Sequence, residues 1–437
     1  MRLGWKFFTR FFFPFCILAC SGTVGNQGGT LLETKGLTCD AHLTFNDQLL
    51  VCGETAQFAH SGNNSVKDGY CVLFSPGSAD ASMHVYGNDQ VSHRIERMRA
   101  YGKEWIVTGI RGEQKNKFIA RLNDQFDPVW ALSSDTLQTT DQVEMAVDQN
   151  GNTLFSCKHP SSEAYELFIY LMNQQGQCQW GRALSSVEIL QDIFLTKDQQ
   201  FFISFKQKGA YIDGQTRKRY LMNSFYKMDA SGQLLWAAKF HLDDDQIHHA
   251  HFNKVVEDPQ GFLYFIGVIA LQPNMENAYI VKTNSEGKIL WSKFYNGLQD
   301  VTLKHGIITK KGNLLIIADG YGKQGGLTTL EVNQDGEVLW GRKFESANYE
   351  QAVAAIESKN SFLFVWDKLF TMGQFSSNQE GKSCIASELL KDIKPQEILI
   401  QFERFNGRVK EIPCHVWMPF DLMHKSKEKI ALKKICN

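Results

Sequence analysis

Proline is scarce, with 9 in 437 residues, so no long proline-rich linker divides a chain whose length would ordinarily allow two or three domains. Neither sign of charge dominates: 46 lysines and arginines face 47 aspartates and glutamates. That balance, with 43% hydrophobic and 21% charged residues, excludes a disordered, collagen-like or nucleic-acid-coating chain. No C-x-x-C, H-E-x-x-H or G-x-S-x-G occurs, which leaves a zinc ribbon, a thioredoxin-like site, a zincin and a serine hydrolase without support. What remains is a globular chain that can be one large repetitive domain.

The start carries a targeting segment. Arg2, Lys6 and Arg10 precede the apolar run Phe11 to Ala19, and no acid appears before Glu33. That order predicts a signal peptide over residues 1–19. Nine apolar residues reach only ~14 Å as a helix, about half of the hydrocarbon core, so a permanent span is the weaker reading. Ile17-Leu18-Ala19-Cys20 resembles the lipobox of bacterial lipoproteins, with Leu18 departing mildly from its usual spacer; the resemblance implies a lipid on Cys20, with ordinary cleavage as the alternative. Ser21, where such proteins carry aspartate for inner-membrane retention, implies the outer membrane if the source is Gram-negative. Residues 20–35 are expected to be the lipidated end and a flexible, glycine-rich tether. Losing Arg2, Lys6 and Arg10 takes the formal charge from −1 to −4, which favours no nucleic-acid partner.

Eight cysteines remain beyond Cys16 and Cys20: Cys39, Cys52, Cys71, Cys157, Cys178, Cys384, Cys414 and Cys436. An even number in an exported chain favours disulfides, with pairing left open.

A recurring octad, Asn/Asp-x-x-Gly-x-x-x-Trp, organises the middle of the chain. It runs from Asn173 to Trp180 with Gly176, from Asp229 to Trp236 with Gly232, from Asn284 to Trp291 with Gly287, and from Asn333 to Trp340 with Gly336. A degenerate copy ends at Trp130 with Phe126 in the glycine place, and Asn406-Gly407 before Val409 reads as a last copy without tryptophan. The repeat of about 50 residues matches a four-stranded propeller blade. Asn or Asp opens a turn by bonding its own backbone, Gly supplies a positive φ, and the following strand carries Trp inward between blades. Short runs such as Phe262–Ile266 and Tyr279–Lys282 read as the strands before each octad. One more unit fits residues 38–86, and Phe362–Val365 with Ile398–Gln401 supply another. The expectation is therefore an all-β propeller of about seven four-stranded blades over 36–412, with the irregular terminal units leaving six or eight open, and a C-terminal tail over 413–437 that ends, closes or braces the ring.

The octads resemble those of bacterial outer-membrane lipoprotein β-propellers with quinoprotein-like repeats, well over residues 85–345 and poorly at the ends. The resemblance implies the fold and leaves function open, because such propellers include enzymes, assembly factors and binding scaffolds. The adjacent cysteine pair and calcium-site aspartate of quinone-dependent dehydrogenases have no counterpart here. Sialidase Asp boxes place glycine three residues before the aromatic, not four. No catalytic residue and no cofactor are expected.

Candidate binding groups gather at the inner strands. Asp243, Asp244, Asp245, His249 and His251 form the densest cluster, and His249 with His251 would share one strand face, a pair that with a carboxylate could hold zinc. The alternative is a polar lining of a wet channel. His93, Arg94 and Glu96, then Lys304 and His305, then Glu350 occupy matching places and suggest a polar funnel. Glu380–Ser383 is read as a solvated loop and not half of a phosphate loop. The lysine-rich stretch His424 to Lys434 is a solvated end or a contact for anionic lipid. The sequence therefore points to a lipid-anchored envelope propeller binding other envelope proteins, with a channel ligand or metal, or quinoprotein-like enzyme chemistry, as the alternative.

Overall fold

The computed structural model describes residues 29–33, 38–43, 48–55, 67–74, 80–87, 91–113, 116–138, 144–158, 166–185, 187–213, 216–242, 249–272, 275–299, 301–320, 326–344, 351–358, 361–368, 371–380, 387–390, 393–398, 400–404, 409–412, 418–419, 422, 424–431 and 433–434. The expected signal peptide and Cys20 lie outside the described residues, as do Asp243, Asp244, Asp245 and Glu350.

Every described element is a strand, and the strands form seven antiparallel sheets. Blade 1 runs outward through Thr38–Leu43, Leu49–Thr55, Asp68–Phe74 and Asp80–Tyr86. Blade 2 uses His93–Tyr101, Glu104–Arg111, Asn116–Leu122 and Pro128–Gln138. Blade 3 uses Met145–Val147, Thr153–Lys158, Leu167–Met172 and Cys178–Leu184. Blade 4 uses Ile189–Leu195, Phe201–Asp213, Thr216–Met228 and Leu234–Leu242. Blade 5 uses His249–Glu257, Leu263–Gln272, Met275–Thr283 and Ile289–Gln299. Blade 6 uses Val301–Ile308, Leu314–Gly320, Gly326–Val332 and Val338–Phe344. Contacts between successive innermost strands, and between those of blades 7 and 1, close the ring. The chain is a seven-bladed β-propeller.

Blade 7 is assembled from both ends of the chain. Its first three strands are Gln351–Ser358, Ser361–Lys368 and Thr371–Asn378, and its fourth is Gly29–Glu33, with Gly29 opposite Phe375 and Glu33 opposite Thr371. A strand thus occupies part of the stretch expected to be tether.

The second difference lies at the outer edge. After blade 7 the chain travels back round the ring and adds a fifth strand to every blade in reverse order. Ser387–Leu389 pairs with blade 6, Lys394–Glu397 with blade 5, Ile400–Arg404 with blade 4 and Val409–Ile412 with blade 3. Met418–Pro419 follows on blade 2, His424–Ala431 on blade 1 and Lys433–Lys434 on blade 7, against Gly29–Glu33. Ile398–Gln401 therefore contributes to no blade of its own, and Val409 opens no last octad. The stretch from His424 to Lys434 is paired backbone and not a loose end. A strand edge left bare would invite pairing with other chains, and this belt covers the edges.

Packing follows from the ring. The middle strands read as near-continuous apolar runs, such as Leu263–Gln272, because a neighbouring blade covers each of their faces. Seven buried clusters result, one at each blade interface. Between blades 4 and 5 the filling is aromatic, with Phe225 and Phe265 rings 4.6 Å apart and Phe252 stacked on Tyr279 at 5.3 Å. Such pairs add about 0.5–1.5 kcal/mol each beyond burial. The belt joins this core through buried Ile393, between blades 5 and 6, and Leu422, between blades 1 and 2. Cys52, Cys71 and Cys157 are buried in the clusters outside any disulfide, so they pack as small side chains and not as the expected staples.

Candidate functional site

Successive strands within a blade are antiparallel, so the first-to-second and third-to-fourth turns share one end of the ring, the turn face. The remaining connections form the loop face.

On the turn face one local structure repeats. In the octad at Asn173, the side-chain oxygen accepts the backbone N–H groups of Gln175 and Gln177 at 3.0 and 2.9 Å, and Gly176 follows at φ +77°. Asn123, Asp229 and Asn333 each accept the corresponding two bonds, and Asn284 accepts the N–H of Lys288. The same turn recurs nearer the axis at Asp148, with Gly151, and at Asp258, with Gly261. Sequence reading missed this inner set because no tryptophan follows; Asp-x-x-Gly alone was its signal. Phe126 adopts φ +69° in the degenerate copy, where its ring stacks on His84 at 4.3 Å.

Three of the four octad glycines have a second task. The indoles of Trp130, Trp180 and Trp291 lie against Gly176, Gly232 and Gly336 of the next blade, where an added Cβ would come within 3.0–3.1 Å of the ring. Their N–H groups donate to the carbonyls of Gln174, Ala230 and Gln334 at 2.8, 3.0 and 2.9 Å. Trp340 donates instead to Glu331 of its own blade, and Trp236 packs edge-on to Phe202. All five are half-buried, because the fourth strand lies near the outer rim, and not enclosed as expected.

Nearer the axis the innermost strands bulge at one matching place in six blades. The extra residues include Glu96, Gln191, Asn253 and Lys304, and a bulge re-aims the side chains beside it. Glu96 accepts bonds from Arg94 and from Lys117, the latter at 2.9 Å, with Glu96 and Lys117 only 2% and 1% exposed. Burial pushes the Glu96 carboxyl up, but the Lys117 ammonium and the Arg94 bond outweigh it and hold it below the usual glutamate range. Burial lowers the Lys117 ammonium despite Glu96. Arg97 grips Glu144 of blade 3 at 2.7 and 3.3 Å, and Lys254 of blade 5 meets buried Asp192 of blade 4 at 2.8 Å. Lys304 lies 3.3 Å from Asp319, which also accepts the N–H of Ala352 in blade 7 at 2.6 Å. Asn253 donates to Leu303 of blade 6 at 2.8 Å.

The described members of the expected funnel lie on the innermost strands of blades 2, 5 and 6. His93 is buried beside the Val91 carbonyl at 2.8 Å, while His251 and His305 are half-buried. His249 lies two residues before His251 on the innermost strand of blade 5. Among the described residues no group of three His, Cys, Asp or Glu side chains stands together as a metal site.

A cleft of about 700 Å³ opens on the turn face between blades 2 and 3, lined by Tyr101, Lys103, Glu104, Arg121, Asp148 and Gln149. Arg121 bonds Glu104 and the Gln174 carbonyl and covers the Tyr101 ring at 5.4 Å. No nucleophile paired with a base is among these residues.

The outer rim of the turn face carries a feature the sequence reading passed over. Val129, Leu235, Leu290 and Leu339 are 54%, 47%, 47% and 50% exposed. Each stands directly before its octad tryptophan, where blade 3 has Gln179. Neighbours along a strand point to opposite faces, so burying the tryptophan turns the preceding side chain away.

No protein-family model matches the chain, and no curated protein does. Among solved structures it is similar to a polysaccharide lyase, with 7% identity, a TM-score of 0.38, and coverage of 64% of this chain and 89% of that one. It is also similar to a Bacteroides fragilis protein assigned as a 6-phosphogluconolactonase, with 12% identity, a TM-score of 0.42, and coverage of 87% and 99%. Likenesses at that level carry no argument about activity.

Proposed function

We propose that this chain is an exported, lipid-anchored β-propeller that binds other envelope proteins as a scaffold in an assembly at the outer membrane. The observation that carries the reading is the set of aliphatic side chains exposed at equivalent places on blades 2, 4, 5 and 6. Water-facing leucines recurring in register mark a surface for a partner more readily than scattered ones do. The charged groups of the innermost strands support the same reading, since they are engaged in ion pairs and blade-to-blade bonds. Anchoring rests on the basic start, the short apolar run and Ala19-Cys20. Cys39, Cys178, Cys384, Cys414 and Cys436 remain for disulfides in an oxidising compartment.

The test places a photo-crosslinking residue at Leu290 on the turn face, or at Ile189, exposed at the loop-face end of blade 4, in the full-length protein in cells. Discrete protein adducts from either position are expected. No adduct from either would overturn protein binding. Cys20→Ala should move the protein out of the membrane fraction, and its retention there would overturn the anchor.

A further inference from the structure

Cys178 opens the outermost strand of blade 3 and is bonded as half of a disulfide. Its partner is none of Cys52, Cys71 and Cys157, which stand outside any disulfide. Cys16 falls within the expected signal peptide and Cys20 is the expected lipid site, so Cys39, Cys384, Cys414 and Cys436 are left.

Chain length decides among them. An extended chain advances at most about 3.6 Å per residue, and the Cα atoms of a disulfide stand about 4.4–6.8 Å apart. Cys39 belongs to the innermost strand of blade 1, Cys384 comes three residues before the belt strand of blade 6, and Cys436 comes two residues after that of blade 7. At least one whole blade separates each of those strands from blade 3. Cys414 follows Ile412 by only two residues, and Ile412 pairs with Gly181 of blade 3. Continuing that antiparallel register sets Cys414 opposite Gln179, one residue from Cys178. The facing agrees as well. Cys178 and Ile412 both pack against the cluster between blades 2 and 3, and residues two apart on a strand share a face, so the strand continued to residue 414 turns its thiol the way Cys178 lies.

We propose that Cys178 and Cys414 form a disulfide that clasps the belt to blade 3. Two S–H bonds break and one S–S bond forms; the two protons and two electrons pass by exchange to a disulfide oxidant of the envelope, which leaves as two thiols. The clasp sits where the belt is thinnest, with four residues on blade 3 and two on blade 2 against eight on blade 1. Lys410 and Glu411 of the four are exposed, so pairing alone holds this strand loosely. The bond also closes more than half of the chain into one loop, which restricts the unfolded state. The inference rests on the export reading for its oxidising compartment and is independent of protein binding.

The test is peptide mapping without reductant, on the full-length protein taken from cells and on the reduced Cys20→Ala protein oxidised in vitro with glutathione disulfide, both alkylated before digestion with trypsin. The expected product is the fragment ending at Arg182 joined to the fragment from Glu411 to Lys425, parted by reductant. Cys178 joined to another cysteine in either sample, or alkylated in both, would overturn the clasp. Linkage only after oxidation in vitro would keep the pair and sink the export reading. Cys178→Ser and Cys414→Ser should each lower the thermal midpoint by roughly 5 °C, and the double variant no further, since either change breaks the same bond; additive losses would count against the pair. If a variant does not fold, reductant added to the unaltered protein must speed amide exchange at Val409–Ile412 at least tenfold, and unchanged exchange there would overturn the clasp.

Discussion

Glu96 and Lys117 are sealed in blade 2, and each is tolerable there because of the other. Glu96→Gln leaves the buried ammonium without its counter-charge and should cost about 3 kcal/mol; adding Lys117→Met should recover most of it, as denaturant midpoints would show. The pair also sets an acid dependence. A carboxyl held below its unfolded value contributes stability that is fully present above the ordinary glutamate pKa near about 4.3, and that is lost as pH falls through the lowered one. Acid unfolding of the Glu96→Gln protein should therefore be less steep across that window. Glycines divide by the same kind of local test. Gly102, at φ +59° with open space around it, should tolerate alanine at about 1 kcal/mol, the backbone penalty alone. Gly176→Ala adds a collision with the Trp130 ring and should cost about 2 kcal/mol or more. The octad was legible because its turn, its glycine and its tryptophan act within eight residues. The partnership of Asp192 with Lys254 was not, since it depends on bulges in two strands and on which blades adjoin.

Strands with tertiary neighbours on both faces announce themselves by composition, and the middle strands of blades 2 to 6 were readable for that reason. Belt strands have a different origin. They are two to eight residues long, receive their definition from the edge they pair with, and carry no repeat, so Ile398–Gln401 read as a blade and His424 to Lys434 as an end. Ending the chain after residue 386 should leave the blades formed but bare-edged. The expected result is a β-rich circular dichroism spectrum, a lower thermal midpoint, and concentration-dependent aggregation in light scattering that the full chain does not show. A monomeric truncated protein of unchanged midpoint would refute the protective role.

At the scale of the whole molecule, ring closure depends on a short segment far from the rest of its blade in sequence. Gly29–Glu33 lies between Thr371–Asn378 and Lys433–Lys434, so deleting residues 29–33 unpairs both and should lower the thermal midpoint by roughly 5–10 °C. Sequence reading could not place this strand, because five residues beside a glycine-rich stretch carry no periodicity that points to a blade more than 300 residues away. The reversed belt adds a topological consequence. From Gly29 the described chain makes one circuit about the axis, and from Ser387 it makes one circuit in the opposite sense, so its net winding is zero and the first and last described strands lie side by side on blade 7. Pulling those strands apart under reducing conditions in an optical trap should therefore unwrap the outer layer first and then release the blades one after another, with no residual loop left encircling the axis.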